Sequence, residues 1–352
     1  MVERMRPTTA RGPDPRVTVV IPCYNYGRFL PEVVASVLSQ EDVITDVIIV
    51  DDASPDGSVA VARRLASGSP SVQVLEHTSN QGHITTYNDG LALATGTYVL
   101  LLSADDLLPP GALRRATDVM ESREDVGMVY GFSRSFTESP PEEVATRVRS
   151  WSIWPGIEWL SLAARRGRCF IHSPEVVMRR AALEEEGAYD PRLPHSADMD
   201  LWMRTARHWS IGRVNGATQA LYRVHDDNMH LTQFAGMLTD LQERRRTFGL
   251  LYDEHCRDNP RVQALREDTR RALAREAVRL ALRGSDRLDN ETLLSYTEFA
   301  LGTWPGISRT LLWRALHQGP LAGRRLPVAG VREYAWRVDG HMRWLRWQRY
   351  GT

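Results

Sequence analysis

Val17-Thr18-Val19-Val20-Ile21-Pro22-Cys23-Tyr24-Asn25 is the stretch that decides the fold. Its first five residues are all β-branched, show no polar alternation, and stop at a proline. Strands with this pattern are buried on both faces, as in parallel sheets covered by helices on either side. The chain after it keeps the same rhythm. Phe29, Val33 and Val37 stand at helical spacing in 29–38, and the next apolar run covers 46–50. Further helices are expected over 58–65, 84–94 and 113–120, and further strands over 72–75, 98–102 and 127–130. Strands alternating with helices of this length specify an α/β domain with a mainly parallel sheet.

Past residue 136 the order loosens. Residues 136–154 contain Pro140-Pro141, several glutamates and two tryptophans, and are expected to form a long loop. A short strand over 176–178, helices over 181–186 and 200–207, and a last strand over 219–222 follow. From Leu231 the pattern is helical, with breaks at Asn259-Pro260, Gly284, Trp304-Pro305 and Gly319-Pro320. The expected organisation is a frayed leader over 1–15, a catalytic domain over 16–230 and a helical region over 231–352.

Composition removes several classes. The 44 basic residues, all arginine, balance 44 acidic ones at a formal net charge of +0, so no global field draws the chain to nucleic acid. Cys23, Cys169 and Cys256 are odd in number and lack metal-ligand spacing, which suits a reducing cytoplasm. No apolar run approaches the roughly 18 residues of a membrane span. The first 16 residues carry no apolar core, so they do not form a signal peptide.

Ligands of parallel α/β sheets sit beyond the carboxyl ends of the strands. Three polar motifs fall there: Pro22-Cys23-Tyr24-Asn25, Asp51-Asp52-Ala53-Ser54 and Ser103-Ala104-Asp105-Asp106. Hard oxygen ligands on one turn, as in Asp105-Asp106, suit Mg²⁺ or Mn²⁺ with a diphosphate filling the remaining positions. The competing role for Asp106 is a cap on the next helix. Asp52 is suited either to a ribose or base or to an Asx-turn. Neither G-x-G-x-x-G nor G-x-x-x-x-G-K-[ST] occurs.

Five motifs in order, V-T-V-V-I-P-C-Y-N (17–25), I-I-V-D-D-A-S (48–54), N-Q-G (80–82) with Asn88, L-S-A-D-D (102–106) and H-S-A-D-M-D-L-W-M-R (195–204), closed by Y-R-V-H (222–225), resemble the family 2 glycosyltransferases. The resemblance spans 16–230. It implies a GT-A-type, Rossmann-like α/β fold with a mainly parallel sheet flanked by helices, followed by a C-terminal α-helical region. It also implies an inverting transfer of one sugar from a nucleotide-diphosphate sugar, by family habit a UDP-sugar, to an acceptor hydroxyl in cell-envelope or secondary-metabolite synthesis. Carried over by position, Pro22, Tyr24, Asn25, Asp52, Asn88, Ala104, Asp105 and Asp106 would bind the nucleotide sugar. Asp105, Asp106 and His225 would hold Mg²⁺ or Mn²⁺, and Asp198 would be the general base. His172, Ser173, Asp200, Trp202 and Arg204 are candidates for sugar or acceptor contact. Three positions depart from the pattern: Ser103 replaces the first acid of the usual D-x-D, Tyr87 replaces an arginine that often precedes the asparagine of the third helix, and Ala197 stands where the family usually has Glu or Asp.

Two other functions compete: a nucleotidyltransferase, which would want a glycine-rich basic loop after the first strand, and a degenerate domain that binds without turnover. Trp151, Trp154 and Trp159 suit either stacking on a sugar or packing of the loop. Near the C-terminus, Trp336, Trp344, Trp347 and Tyr350 interleave with arginines. That pattern fits docking on the chain's own domain, a homodimer surface, or peripheral membrane contact. The expected location is cytoplasmic, with the membrane surface as the variant.

Overall fold

The computed structural model describes residues 2–9, 12–226, 228, 236–284 and 289–317. The terminal aromatic–arginine segment and the expected boundary at residue 231 lie outside the described residues. The chain divides into two compact units, Met1–Trp159 with Phe170–Asn228, and Leu160–Cys169 with the chain from Met229 onward.

The first unit is built on nine strands in one sheet: β1 (Glu3–Met5), β2 (Arg16–Cys23), β3 (Ile44–Asp51), β4 (Val72–Glu76), β5 (Tyr98–Leu101), β6 (Val126–Tyr130), β8 (Ser150–Trp154), β9 (Val177–Arg179) and β10 (Ser210–Asn215). Between β6 and β8 runs β7 (Ser133–Phe136), which pairs in parallel with β11 (Ala220–Arg223) in a separate ribbon. The large sheet has the order β1-β8-β10-β6-β9-β5-β2-β3-β4. Val17, Val19, Val20 and Ile21 of β2 are fully buried between β3 and β5, as their unbroken apolar run requires. Each such side chain contributes about 1.5–3 kcal/mol by leaving water.

Helices α1 (Leu30–Leu38), α2 (Ser58–Gly68), α3 (His83–Ala92) and α4 (Ala112–Ser122) connect the early strands. Helix α1 starts with Pro31 in its first turn and buries Leu30, Val33, Val34 and Val37, one face at helical spacing. Gly90 lets α3 lie against the sheet, since a Cβ there would stand 2.4 Å from Val20 Cγ1. Later come α5 (Gly156–Arg166), α6 (Arg180–Glu186) and α7 (Ala197–Thr205).

Strand β9 decides where the second half of the chain meets the first. It runs antiparallel to both β5 and β6. Its start therefore lies at the edge where β5 and β6 end, and the preceding turn, Ser173–Glu175, arrives beside the strand-end motifs.

Two expectations need correction, and for the three tryptophans packing is the alternative observed. The leader is not frayed throughout, because Glu3–Met5 pairs antiparallel with β8 and covers what would be an open edge. The long loop over 136–154 ends in β8, which pairs with β10. Trp151 and Trp154 of β8 and Trp159 of α5 are buried, so they pack the core and present no face to a sugar.

The second unit is helical: α8 (Met237–Leu250), a π-helical turn (Leu251–His255), α9 (Pro260–Gln263), α10 (Arg266–Gly284), α11 (Asn290–Thr303), a 3-10 turn (Pro305–Arg309) and α12 (Leu311–His317). Small buried residues on α10, Ala274, Ala277 and Ala281, permit close approach of its neighbours, and Phe248, Tyr252, Phe299 and Ile307 complete the core. Among the described residues no helix is long and apolar enough to cross a membrane.

Candidate active site

The ends of β2 and β3 are locked together. Asp52 N–H donates to Cys23 O at 2.9 Å, Asn25 N–H donates to Ser54 Oγ at 3.0 Å, and Ser54 N–H donates to Asp51 Oδ1 at 2.9 Å. Asn25 and Ala53 both adopt left-handed backbone, φ 62° and 56°. Non-glycine residues pay about 1–3 kcal/mol for such geometry, and it concentrates where a site demands it. The turn leaves the Tyr24 ring 44% exposed. Asn25 Oδ1 is buried with no hydrogen-bond partner among the described residues. Pro22 lies half-buried beneath that turn, and Ala104 is buried under the third motif.

Asp52 is 3% exposed and has a full set of partners. Its Oδ1 accepts from Gln81 N–H at 2.7 Å and stands 2.8 Å from His77 Nδ1, and its Oδ2 accepts from Gly82 N–H at 2.9 Å. Burial alone would raise its pKa, but these three partners outweigh burial and hold it below the usual carboxylate value. His77 Nε2 lies 3.1 Å from Asp89 Oδ2. Asp52 thus fixes the 80–82 turn ahead of α3. Asn88 is likewise engaged by the protein. Its amide donates to Tyr189 O and accepts from Tyr189 N–H, both at 2.9 Å, which makes it a clamp between α3 and the chain before α7.

The third strand end meets the closing segment. Leu107 and Leu221 exchange backbone hydrogen bonds, which brings Asp105 and Asp106 beside β11. Asp105 Oδ2 lies 3.0 Å from His225 Nε2 and accepts from Asn228 Nδ2 at 3.2 Å. The His225 ring packs against Tyr26 and Phe29, with centroids 5.6 and 5.5 Å away. A carboxylate beside an imidazole, with positions left for diphosphate oxygens, fits a divalent cation. Asp106 does not join them. It is fully buried, Oδ1 accepts from Arg223 N–H at 2.9 Å, and Oδ2 has no hydrogen-bond partner among the described residues. Burial and the charge of Asp105 push its pKa well up. Next to Asp105 in sequence, it pins β11 through Arg223 N–H. Arg223 is equally committed: Nε donates to Asp105 O at 2.9 Å and Nη2 pairs with Glu32 at 2.5 Å.

Among the described residues, the one trio of acids and histidines with mutually close ligand atoms is Glu185, Glu186 and His208, away from these strand ends. Glu186 is there taken up by Arg207 and by His208 Nδ1 at 2.6 Å.

Opposite the strand ends stands the start of α7. Asp198 lies in its first turn, half-buried, with Oδ2 accepting from Ser173 Oγ at 2.8 Å and Oδ1 from Met199 N–H at 2.6 Å. Burial raises its pKa, and the two hydrogen bonds only partly offset that. Ser173 is therefore brought to the site as a partner of Asp198. His172 Nδ1 is 2.8 Å from Ser133 Oγ, and its ring stacks on Tyr222 at 5.9 Å. Asp200, Trp202 and Arg204 are not available to sugar or acceptor, because all three are buried. Arg204 bonds Asp200 at 2.7 Å, Ala188 O at 2.7 Å and Glu186 O, staples that join α6 to α7.

Tyr87 ties the two sides together. Its ring makes edge contacts with His83 and Tyr189, both at 5.5 Å. Burial first, then the charges of Asp198 and Asp105, raise its pKa. Tyr87 therefore stands within electrostatic reach of both Asp198 and Asp105. Sequence reasoning treated Tyr87 only as a missing arginine, and it missed His77, Asn228 and Ser133 entirely; their partners lie far along the chain, and no local pattern marks them.

Comparisons with known proteins bear on the family and the fold. Residues 18–187 match the family model described as glycosyl transferase family 2. A relative in Nostoc, described as an uncharacterized glycosyltransferase, is 28% identical over 248 residues, 67% of this chain and 72% of its own. YibD of Escherichia coli, described in the same words, is 31% identical over 161 residues, 43% of this chain and 45% of that one. Among solved structures, a mannosyltransferase from Pyrobaculum calidifontis, in complex with GDP-Man and Mn²⁺, aligns with a TM-score of 0.55 at 19% identity, covering 95% of this chain and 90% of that one. TarS 1–349 of S. aureus, in complex with UDP, aligns with a TM-score of 0.57 at 16% identity, covering 86% and 88%. At such identities the structural likeness speaks for the fold.

Proposed function

Because this chain belongs to the family 2 glycosyltransferases, enzymes of GT-A fold, we propose that it transfers one sugar from a nucleoside-diphosphate sugar to an acceptor hydroxyl with inversion, using Asp198 as general base. The observation that carries the reading is the placement of Asp105, 3.0 Å from His225 Nε2, at the strand-end edge to which the turn before β9 brings Ser173, the hydrogen-bond partner of Asp198. The family match favours a glycosyltransferase over a nucleotidyltransferase, and turnover with a nucleotide sugar separates it from a degenerate, non-catalytic member.

On the donor side, the exposed Tyr24 ring offers a stacking face for the base, and buried Asn25 Oδ1 offers an acceptor to a ribose or base donor. Asp105 and His225 are the residues that would hold Mg²⁺ or Mn²⁺, with Asp106 and Asn228 keeping Asp105 in place. Such a cation neutralises diphosphate charge and so improves it as a leaving group. A uridine diphosphate donor is the first choice from the sequence resemblance. The GDP-Man complex of the archaeal neighbour keeps guanosine donors in the test.

On the acceptor side, Asp198 takes the proton of the attacking hydroxyl as the new C–O bond forms. The anomeric bond to the diphosphate breaks and its electron pair leaves with the diphosphate. A carboxylate with a raised pKa is the stronger base, provided it is ionised at the working pH. Ser173 and Met199 N–H fix its orientation. The sparse, odd cysteine set supports a cytoplasmic reaction. The pathway is that of an envelope glycan or a secondary metabolite.

A thermal-shift series with UDP-, GDP- and TDP-sugars, with and without Mn²⁺, tests the donor site. A ligand that binds only the folded state raises Tm. One nucleotide class is expected to stabilise the protein in the presence of the cation, and Asp105→Asn is expected to remove the cation-dependent part. An unchanged shift in that variant would refute the assignment of Asp105.

A further inference from the structure

The mechanism leaves one buried ionisable group without a task. Glu175 closes the turn Ser173–Glu175 and is 1% exposed. Its Oε1 accepts from His172 N–H at 3.1 Å, while its own N–H donates to His172 O at 3.2 Å. Oε2 is buried and has no hydrogen-bond partner among the described residues. The charged and titratable groups that face this turn come from three strands. Arg213 of β10 is fully buried, with Nη1 on Asn215 Oδ1 at 2.7 Å and Nε on Gly131 O at 3.3 Å. Tyr130 of β6 lies against that guanidinium, 5.9 Å from it to the ring centre. Tyr222 of β11 stacks on His172. A second N–H, from Ser133 at the start of β7, also favours the Glu175 carboxylate.

A glutamine has nearly the same shape and would make the same Oε1 contact without burying a charge. Groups held at a cost to the fold are most often held for function. The contacts show what this one reaches: Glu175 grips His172 N–H, the next residue is Ser173, and the Ser173 hydroxyl bonds Asp198.

We propose that Glu175 is a positioning residue for sugar transfer: its carboxylate fixes the His172–Ser173 backbone, and the Ser173 hydroxyl thereby keeps Asp198 aimed at the acceptor. This rests on Asp198 being the base. Burial pushes the Glu175 carboxyl up to about 7, and His172 N–H, the Arg213 charge and Ser133 N–H offset burial only in part. The grip is therefore strongest above that pH and weakens below it. The sign for stability is the reverse. A carboxyl raised from 4.5 to about 7 favours the fold fully below 4.5, and that contribution is lost as pH rises through 7.

Glu175→Gln separates this role from packing. Expected at pH 8 are a higher Tm than wild type, an unchanged thermal shift with nucleotide sugar, and a kcat lower by about severalfold, because the neutral amide keeps the contact to His172 N–H but loses the charge assistance that makes such a bond roughly twice as strong. The Tm advantage should shrink as pH falls from 7 to 4.5, and the acid limb of the kcat profile should lose the component near 7. A lower Tm at pH 8, failure to fold, or a wild-type kcat profile would each overturn the proposal. Asp198→Asn, assayed in parallel, keeps the two readings apart. Turnover surviving in that variant condemns the base assignment itself, whereas an inactive Asp198→Asn beside a wild-type-like Glu175→Gln condemns only the role of Glu175.

Discussion

The strand-end region around Asp52 and the helix-start region around Asp198 each take a carboxylate out of water, and they treat it in opposite ways. Asp52 meets two backbone N–H groups and His77, so its pKa is lowered. Asp198 meets one hydroxyl and one N–H, burial prevails, and its pKa is raised. A saturated carboxylate is a fixed strut; an under-compensated one is ready to take a proton. The same division runs through the neighbours. Gln81, Gly82 and Asn88 are bound into backbone clamps on one side, and Glu175 keeps a buried oxygen, Oε2, without a hydrogen-bond partner among the described residues on the other.

Apart from loss of Asp198 itself, the largest effect is expected at Asp105. Asp105→Asn removes the acid partner of His225, and turnover is expected to fall by at least about 10²-fold, the scale set by losing one electrostatic stabiliser of the transition state. A steady-state assay of nucleoside diphosphate release reads it. Next is the buried Asp200–Arg204 pair, where Arg204→Ala leaves an uncompensated charge and is expected to cost about 3–5 kcal/mol in urea unfolding. That loss should appear as stability and not as a selective fall in kcat, since neither residue is available to substrate. The smallest of the three is Asp52→Asn, expected to lose about 1–3 kcal/mol because N–H donors that faced a carboxylate lose their acceptor. Its pH dependence has a definite sign. A carboxyl lowered in the fold contributes stability above 3.8, and that contribution is lost as pH falls through its folded value. The gap between wild type and Asp52→Asn should therefore close in acid.

Most of the first half of the fold was legible because its signals are local. Buried parallel strands announce themselves as β-branched runs, and β2 to β6 fall where those runs stand. Strand β10 was missed because Gly212 and the buried Arg213 interrupt its apolar pattern. Strand β8 was missed because its Ser-Trp-Ser-Ile-Trp sequence follows a proline-rich, acidic stretch, and its pairing partner lies some sixty residues on. At the candidate site, residue types and order singled out Asp105, His225 and Asp198, and the structure pairs Asp105 with His225 and Asp198 with Ser173. What each acid does depends on partners distant in sequence. Asp106, Asp200 and Arg204 carry the same motif letters as their neighbours, yet they are turned inward by Arg223, by each other and by Glu186 O.

The most direct measurement is Asp198→Asn at pH 8, followed for turnover, nucleotide-sugar thermal shift and Tm in one preparation. The account predicts turnover reduced by about 10²- to 10⁴-fold, the range for loss of a general base. It also predicts a thermal shift equal to wild type, and a Tm no lower than wild type, because a carboxyl raised in the fold loses its stabilising contribution as pH rises through its folded value. Substantial residual turnover, or a Tm that falls as it does in Asp52→Asn, would contradict it.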